Sequence, residues 1–467
     1  MMPRLVTSLF LVLLALESHT VAPAPGGTDA RVDDFIRGEM ERQRIPGVAV
    51  GIVQRGAVLK AEGYGYANVE HMVPVGPETI FQSGSLGKQF TAAAVMLQAE
   101  AGRLALTDSI TKFFPDAPGA WRPITVRHLL THTSGIPDYA IGTFDYRKDY
   151  TEDDLAGFAF RLPLEFPPGS RWNYSNTGYL LLGIIVRKVS GRFYGDVLAE
   201  GVFKPLGMTT TRIISEADIV PHRAAGYRLE KGELKNQEWV SPSLNTTADG
   251  ALYFSLRDLI AWDAGVRAKK VLAADSWSQV LTPVTLNSGK SFPYGFGWGI
   301  EERGGRPLHQ HGGAWQGFKT HYARFLGDDL SIIVLANLQE AAPSRFVDGI
   351  AAILNPALAV AEAKAIEDRE PKVTARMLQL VDQARKGALS PADFAYVRAG
   401  FFPDAADRYA SQLRAAGAVR KTTLLERTEL GDDRVYVYEL ACDAATYRLR
   451  LGLAPDDRIA AFSLTRK

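Results

Sequence analysis

Ser85 and Lys88 stand three residues apart in FQSGSLGKQFTAAAVMLQAE (residues 81–100), at the start of an apolar run with helical spacing. Side chains at this separation share one face of a helix. A serine hydroxyl is a weak nucleophile at neutral pH, but a neutral amine beside it can accept its proton. The helix N-terminus would also favour a developing oxyanion. The pattern predicts Ser85 as a nucleophile and Lys88 as its proton acceptor.

The same spacing recurs at Ser109 and Lys112, as chance predicts for a chain of 467 residues with ordinary composition. There, no glycine turn precedes the serine and no long apolar helix follows the lysine. Spacing alone therefore does not choose between the two serines, and other motifs must support Ser85.

A second candidate, Tyr174-x-Asn176, follows a Pro-Pro-Gly turn and precedes a helix predicted over residues 179–189. Loops in such positions often display functional groups. A phenol can relay a proton where a nearby cation lowers its pKa, and an Asn amide can hydrogen-bond a substrate carbonyl. Tyr66 and Asn68 repeat the spacing in a predicted strand, where packing of the tyrosine is the simpler interpretation.

A third candidate, His311-Gly312-Gly313, lies on or beside a predicted strand. Two glycines let the backbone approach a ligand closely. The backbone N–H of Ala314, paired with that of Ser85, would form an oxyanion hole. His311 could hydrogen-bond the substrate, and Gly313 and Ala314 complete this predicted binding element. The alternative is a glycine-bulged hairpin with surface histidines.

His128 and His132 are four residues apart, a spacing that places two zinc ligands on one helix face. Leu129 stands where a zinc protease helix has glutamate, and no third ligand follows nearby in the sequence. We therefore predict no metal and no other cofactor. The two histidines are expected to cap and hydrogen-bond the turn at residues 133–135.

The three motifs stand in the order Ser85-x-x-Lys88, Tyr174-x-Asn176 and His311-Gly312-Gly313, beside the stretches RHLLTHTSGIPDY and FPPGSRWNYSNTGYLLLG. In this combination the chain resembles the serine β-lactamase and penicillin-binding-protein superfamily. The resemblance covers residues 29–354. It points to the branch with class C β-lactamases, D-alanyl-D-alanine carboxypeptidases and β-lactamase-like esterases.

The resemblance implies that Ser85 is acylated and that Lys88 accepts its proton. It implies that Tyr174 passes a proton to the leaving group and helps to activate the deacylating water. Lys88 and Tyr174 are assigned jointly as the acylation base. Asn176 matches the substrate-binding amide of the family, and His311 matches the first residue of its third motif.

His311 is a departure from the family pattern, because class C β-lactamases usually have lysine at the matching position, where it holds the substrate carboxylate. An unperturbed histidine is mostly neutral at pH 7. We therefore expect uncharged acyl substrates to be preferred over carboxylate-bearing ligands such as penicillins. Binding of the latter is expected to improve as His311 becomes protonated at lower pH.

The motifs need a scaffold that brings them together. Residues 29–43 and 344–354 carry apolar stripes typical of helices, and residues 48–68 predict a hairpin. Strand patterns return from residue 294, while residues 89–290 have mostly helical and loop patterns. The simplest packing is an α+β fold with one antiparallel sheet, flanking terminal helices and a large helical insert, within a domain spanning residues 29–355.

The composition changes after Pro356. The stretch AVAEAKAIEDREPK alternates charged and small residues, which indicates a helical linker over residues 356–370. Helical patterns over residues 371–387 and 391–417 then precede several short β-like runs. They predict a small α+β domain of unknown role at residues 371–467.

The chain is 46% hydrophobic and 22% charged, with a net charge of +1, as in folded soluble proteins. It has no dense Lys/Arg run, which argues against nucleic acid as a partner. Residues 1–24 combine Arg4 with a short apolar run and small residues, which predicts a signal peptide and a secreted or periplasmic protein. A retained N-terminal anchor is the alternative, and no later transmembrane segment is predicted.

The sequence therefore predicts an exported serine hydrolase that forms an acyl-enzyme with ester, short peptide or amide substrates. One alternative is a β-lactamase or D-alanyl-D-alanine carboxypeptidase proper. The other is a penicillin-binding type of protein, in which Ser85 is acylated without turnover and the C-terminal domain recruits a partner. The substrate and the oligomeric state stay open.

Overall fold

The computed structural model describes residues 26–142, 144–214 and 217–467. The predicted signal peptide at residues 1–24 lies outside these described residues. Within them, none of the helices combines the length and the apolar character that a membrane crossing requires.

The larger part of the chain contains the predicted sheet and the helices around it. Its strands are β1 (Gly47–Gln54), β2 (Ala57–Asn68), β3 (Val73–Pro74), β4 (Ile80–Gln82), β5 (Tyr227–Glu230), β6 (Glu233–Asn236), β7 (Tyr253–Ser255), β8 (Val284–Thr285), β9 (Ser291–Phe292), β10 (Gly299–Arg303), β11 (Arg306–Trp315), β12 (Phe318–Phe325) and β13 (Leu330–Ala336). Its helices are α1 (Gly26–Gln43), α2 (Lys88–Glu100), α3 (Val126–Leu130), α4 (Glu152–Phe160), α5 (Asn176–Ser190), α6 (Tyr194–Leu198), α7 (Lys204–Leu206), α8 (Leu256–Arg267), α9 (Ala274–Val280) and α10 (Pro343–Leu354).

The antiparallel sheet built from both ends of this region is confirmed. Its strands are ordered β10-β11-β12-β13-β1-β2-β3, and each neighbouring pair is antiparallel. At the centre, β1 pairs with β13 in a register that runs from Val48 opposite Ala336 to Gln54 opposite Leu330. Both strands are buried almost throughout, because helices cover both faces of the sheet.

One face of the sheet is covered by the two terminal helices α1 and α10. Val32 and Ile36 from α1 join Phe346 and Ile350 from α10 in one apolar cluster with the sheet. The other face packs against α8 and the helical insert, which share a second and larger cluster. The alternating side chains of β1 supply both clusters, so the sheet holds the two layers together.

Helix α2 lies inside the insert and is buried on nearly every side. The ring of Phe90 packs 4.4 Å from Trp262 of α8, centroid to centroid. The indole N–H of Trp262 also donates to the side-chain oxygen of Gln89 at 3.0 Å. These contacts fix the position of the turn that precedes α2.

Residues 371–467 form the predicted small α+β domain. It comprises α11 (Pro371–Lys386), α12 (Ala406–Ala416), β14 (Val419–Leu430), β15 (Asp433–Cys442), β16 (Thr446–Leu453) and β17 (Ile459–Arg466). The four strands pair in chain order as an antiparallel meander. Both helices pack on this sheet around a separate apolar cluster that includes Leu380, Leu413 and Leu449.

The predicted helical linker is wrong, because residues 359–370 are not helical. The backbone N–H of Ile366 instead donates to the carbonyl of Leu424 in β14 at 2.9 Å. Pro371 also disfavours helical geometry at Glu370, whose φ and ψ are −128° and 61°. The segment therefore runs extended against the C-terminal sheet.

The continuous helical stretch predicted over residues 391–417 is also wrong. Its α-helix is α12, while residues 394–400 form an irregular loop. Gly400 adopts a left-handed conformation with φ of 78°. Pro403 lacks the backbone N–H that a continuous helix would use. The loop formed by residues 394–400 approaches the larger domain.

The C-terminal domain contacts the insert through this loop and its sheet. A guanidinium nitrogen of Arg171 lies 2.7 Å from a carboxylate oxygen of Asp433. The same guanidinium lies 5.4 Å above the ring of Tyr396, which also packs edge-on against Phe166. The two domains therefore meet beside the segment that carries Tyr174.

The contact between α1 and α10 predicts how two helix glycines respond to substitution. A Cβ at Gly349 would lie 1.9 Å from a ring carbon of Phe35, whereas a Cβ at Gly38 would meet nothing within 4 Å. Gly349→Ala should therefore lower the free energy of unfolding by about 1–3 kcal/mol, despite the better helix propensity of alanine. The matched control, Gly38→Ala, should raise it by about 0.5–1 kcal/mol. Urea denaturation followed by circular dichroism measures both, and equal effects would contradict the packing described.

Candidate active site

Ser85 lies in a short 3-10 turn, Gly84–Gly87, between β4 and α2. The predicted helix thus begins as this tight turn and becomes α-helical at Lys88. Gly84 has φ of 51°, and a Cβ there would lie 2.3 Å from the backbone nitrogen of Ala314. The glycine is required because the turn presses against β11. Ser85 remains partly exposed.

Lys88 is fully buried, and its amine joins three separate segments. Its Nζ lies 3.1 Å from Ser85 Oγ and 2.8 Å from Asn176 Oδ1. It also contacts the backbone carbonyl of Asp249. Among the described residues, no carboxylate forms an ion pair with this amine. The geometry places the amine where it can exchange a proton with the Ser85 hydroxyl.

The Tyr174 hydroxyl is buried and has no hydrogen-bond partner among the described residues. Two groups contact its ring: Lys88 Nζ is 4.9 Å from the ring centroid, and the His132 ring packs against it at 4.2 Å with an interplanar angle of 33°. These contacts hold the ring in place, and they leave the hydrogen-bonding capacity of the buried hydroxyl unused by the described residues.

Asn176 is the first residue of α5, after the N-cap Ser175. Its backbone N–H donates to Asp138 Oδ1 at 2.6 Å, and its side-chain oxygen accepts from Lys88. Burial raises the pKa of Asp138, although the hydrogen bond from Asn176 opposes this. Because the side-chain oxygen of Asn176 is engaged, its NH₂ group is the part left to donate to a ligand.

A hydrogen-bonded chain joins the second and third motifs through two aromatic residues. The N–H of Ser175 donates to His132 Nδ1 at 3.1 Å, and His132 Nε2 lies 3.2 Å from the Tyr294 hydroxyl. That hydroxyl lies 3.0 Å from His311 Nε2, and His311 Nδ1 lies 2.6 Å from the Gly312 carbonyl.

The donor and the acceptor in each of these bonds follow from the groups at the two ends, the Ser175 N–H and the Gly312 carbonyl. A carbonyl can only accept, so His311 carries its proton on Nδ1 and accepts from Tyr294 on Nε2. Tyr294 then accepts from His132 Nε2, whose Nδ1 accepts from Ser175. Both imidazoles are neutral in this arrangement. Burial lowers the pKa of both histidines, and that of His311 falls to about 3.

The expectation that His311 becomes protonated under mildly acidic conditions is therefore wrong, because burial keeps its pKa at about 3. Both ring nitrogens are also engaged within the protein. His311 thus presents neither a positive charge nor a free nitrogen to a substrate carboxylate.

The edge of β11 beyond its last pairing with β10 faces the Ser85 turn. β10 pairs with β11 only as far as Gln310, so residues 311–315 have no strand neighbour on that side. A Cβ at Gly313 would lie 2.0 Å from the Ser83 carbonyl, which shows how closely the two backbones approach. Next to them is a cavity of about 110 Å³ that Ser85, Asn176 and Ala314 help to line.

The competing motifs have structural roles elsewhere. Ser109 caps a short 3-10 helix, accepting from Thr111 N–H, and Lys112 forms an ion pair with Asp108 at 2.9 Å. His128 forms a capping box with Thr125 at the start of α3. The prediction that the histidine side chains hydrogen-bond residues 133–135 is wrong for both.

Sequence reasoning missed the groups that position the motif residues. Asp138 and His132 both lie within the stretch RHLLTHTSGIPDY, which stands beside the motifs. That stretch was the signal from which their place in the site could have been predicted. Tyr294 and Asp249 had no signal, because their contacts join segments that are far apart in the sequence.

The low pKa of His311 predicts a specific dependence of stability on pH. An unfolded histidine takes up a proton near pH 6.5, whereas His311 in the folded state does so only near pH 3. The unfolded state thus binds more protons between these values, and stability falls as the pH is lowered through this window. Between pH 5.5 and 4.5, His311→Gln should reduce the slope of unfolding free energy against pH by about 1.4 kcal/mol per unit.

Urea denaturation of both proteins across this pH range measures the difference. His309 and His321, whose pKa values burial lowers to about 4, contribute to both slopes and cancel in the comparison. Parallel slopes would show that His311 is not held neutral.

Comparison with known proteins gives penicillin-binding proteins and D-aminopeptidases as relatives. The chain is 32% identical over 312 residues to a penicillin-binding protein of Bacillus subtilis, covering 61% of this chain and 68% of that protein. It is 30% identical over 320 residues to a D-aminopeptidase of Gluconobacter oxydans, covering 66% of this chain and 59% of that protein. The chain thus spans less than two thirds of that D-aminopeptidase.

A solved structure of an octameric penicillin-binding protein homologue from Pyrococcus abyssi matches with a TM-score of 0.63 and 26% identity. The match covers 91% of this chain and 90% of that one, so it extends into the C-terminal domain. The Beta-lactamase family matches residues 32–355, which contain all three motifs. The chain therefore belongs to the beta-lactamase family, within the serine β-lactamase and penicillin-binding-protein superfamily of serine hydrolases.

Proposed function

We propose that this protein hydrolyses esters or short peptide amides through an acyl-enzyme on Ser85. The observation that carries the proposal is the contact of the buried Lys88 amine with both Ser85 Oγ and Asn176 Oδ1. The Tyr174 hydroxyl, which lacks a partner in the described structure, completes the proposed set.

In the acylation step, Ser85 Oγ attacks the substrate carbonyl carbon as its proton passes to the pair formed by Lys88 and Tyr174. The carbonyl oxygen becomes an oxyanion that accepts from the backbone N–H groups of Ser85 and Ala314. The Asn176 NH₂ group holds the acyl part of the substrate. The bond to the leaving group then breaks, and Tyr174 returns the proton to that group.

Deacylation reverses the proton path. A water takes the place of the leaving group, and Tyr174 and Lys88 accept its proton as its oxygen attacks the ester carbon. The tetrahedral intermediate uses the same two N–H donors. As it collapses, its bond to Ser85 Oγ breaks, the proton held by Tyr174 and Lys88 passes to that oxygen, and the acid product leaves. His132, Tyr294 and His311 act as positioning residues, because they hold the Tyr174 ring and the end of β11.

The relatives support amide and ester chemistry, since they include a penicillin-binding protein and a D-aminopeptidase. The runner-up is a β-lactamase or D-alanyl-D-alanine carboxypeptidase proper. A protein that is acylated without turnover is the third candidate. A burst of leaving group equal to one enzyme equivalent, with no steady-state rate, would select that third candidate.

We also propose that residues 1–24 are a signal peptide of an exported protein. The proposed division of the remaining chain is a hydrolase domain at residues 29–355, a linker at 356–370 and a small domain at 371–467. The separate apolar cluster within the last segment supports this division.

The chain supplies its own control for the nucleophile, because Ser85 and Ser109 both precede lysine by three residues. Ser85→Ala should abolish the mass increase that a fluorophosphonate probe produces, and should lower kcat by about 10⁴–10⁶. Ser109→Ala should leave labelling and turnover unchanged, since Ser109 caps a short helix on the surface. Intact-mass spectrometry reads the labelling, and loss of labelling in the Ser109 variant would refute the assignment.

Tyr174 and Lys88 should behave as one catalytic unit. Tyr174→Phe removes a hydroxyl that makes no hydrogen bond with a described residue, so stability should change little while kcat falls by more than about 10². Lys88→Ala should lower kcat by more than about 10² as well. The double variant should lose less than the product of the two factors. Steady-state kinetics on one ester tests this, and strictly multiplicative losses would contradict a shared proton path.

A further inference from the structure

A large cavity of about 1030 Å³ lies between the segment that carries Tyr174 and the C-terminal domain. Tyr174, Tyr294 and His311 line it on the catalytic side. The loop formed by residues 394–400, together with strands of the C-terminal sheet, lines the other side. Ser85 and Asn176 line the smaller cavity of about 110 Å³, and Asp138 lines both cavities. Because Tyr174 is proposed to protonate the leaving group, we place that group on the Tyr174 side, in the larger cavity.

The loop 394–400 is anchored on both sides of Arg398. The Ala399 N–H donates to Glu165 Oε1 of the insert at 2.6 Å. The Ala395 N–H donates to the carbonyl of Ile459 in β17 at 2.8 Å. The other oxygen of Glu165 accepts from Asn173, the residue before Tyr174. One carboxylate therefore connects this loop to the segment that carries Tyr174.

Arg398 lines the cavity and is exposed to it. Within the described part of the chain, no carboxylate lies within ion-pair distance of its guanidinium. Burial raises the pKa of Asp138 and lowers that of His132, and the charge of Arg398 acts on both groups. The charge of Arg398 is thus felt by two groups that position the catalytic residues.

The carboxylates of the cavity wall mostly have partners already. Glu165 and Asp138 accept backbone N–H groups, Asp433 is paired with Arg171, and Glu301 accepts from Gln310. Glu426 is the wall carboxylate for which no partner is described. On the same wall, two further exposed arginines, Arg408 and Arg450, lack ion pairs with described residues.

We propose that Arg398 binds a carboxylate on the leaving-group part of the substrate. His311 is neutral and both of its ring nitrogens are engaged, so the third motif offers no positive charge to a substrate. In this proposal the C-terminal domain supplies that charge through Arg398. A guanidinium can hold a carboxylate through two parallel N–H···O bonds, which fixes its position as well as its charge. This proposal rests on the proposed hydrolase function, and it replaces the expectation that uncharged substrates are preferred.

The test compares two esters that differ in one group, 3-carboxyphenyl acetate and its neutral analogue 3-carbamoylphenyl acetate. The quantity measured is the ratio of their kcat/KM values, normalised by their rates of hydrolysis in hydroxide. The wild-type full chain should favour the carboxylate ester. Arg398→Gln should lower the ratio by about tenfold or more, as expected for a lost hydrogen bond to a charged group.

Two variants serve as matched comparisons. Arg398→Lys keeps the charge but not the fork of donors, so it should retain part of the preference. Arg448→Gln removes an exposed arginine of the same domain that does not line the cavity, and it should leave the ratio unchanged. Raising the salt concentration should also reduce the wild-type ratio, because screening weakens exposed charge pairs.

A measurement on the wild type alone tests the proposal even if a variant fails to fold. 3-Hydroxybenzoate should inhibit hydrolysis of the neutral ester more strongly than 3-hydroxybenzamide does. If wild type and Arg398→Gln hydrolyse both esters with the same ratio of kcat/KM values, the role of Arg398 is overturned and the proposed function stands. Equal inhibition of the wild type by the two phenols has the same meaning. Failure of the wild type to hydrolyse either ester overturns the proposed function as well.

Discussion

A buried amine needs hydrogen-bond partners, and Lys88 finds them on the turn just before it and on two segments that are distant in the sequence. Ser85 Oγ lies one turn earlier, Asn176 Oδ1 begins α5, and the Asp249 carbonyl belongs to the loop before β7. Displacing any of these segments would leave a polar group unpaired inside the protein. The requirement therefore fixes the separation between the Ser85 turn and the start of α5. The hydrogen bonds of Lys88 therefore restrain the structure as well as placing the amine beside Ser85.

The second restraint is the neutral chain from Ser175 through His132 and Tyr294 to His311. The Ser175 N–H can only donate and the Gly312 carbonyl can only accept, so these two ends set the order of donors through the two neutral imidazoles and the Tyr294 hydroxyl. Lysine in place of His311 would bring only donors and would remove the acceptor that His311 Nε2 offers to the Tyr294 hydroxyl. The histidine is thus matched to its neighbours, and the cation for an acidic substrate has to come from another element.

Local patterns predicted the hairpin at residues 48–68, the helix at 344–354 and the α+β architecture, because these depend on periodicity and turn residues. The three motifs in combination, and no single spacing, selected Ser85, Tyr174 and Asn176, whose side chains lie around Lys88. The partners of those residues could not be predicted, because the contacts of His132 with Tyr294 depend on tertiary packing. The loop 394–400 falls within residues 391–417, a stretch that was predicted to be helical. Gly400 and contacts with the other domain decide its conformation instead.

The pairing of β1 with β13 also governs how the protein reaches its folded state. Val48 faces Ala336 across the centre of the sheet, so this pairing is unavailable until nearly all of the hydrolase region has been synthesised. Closing so long a loop costs entropy before any contact is gained, which slows folding. Strands β14 to β17 instead join neighbour to neighbour through short connections. The small domain can therefore form within a short stretch of chain.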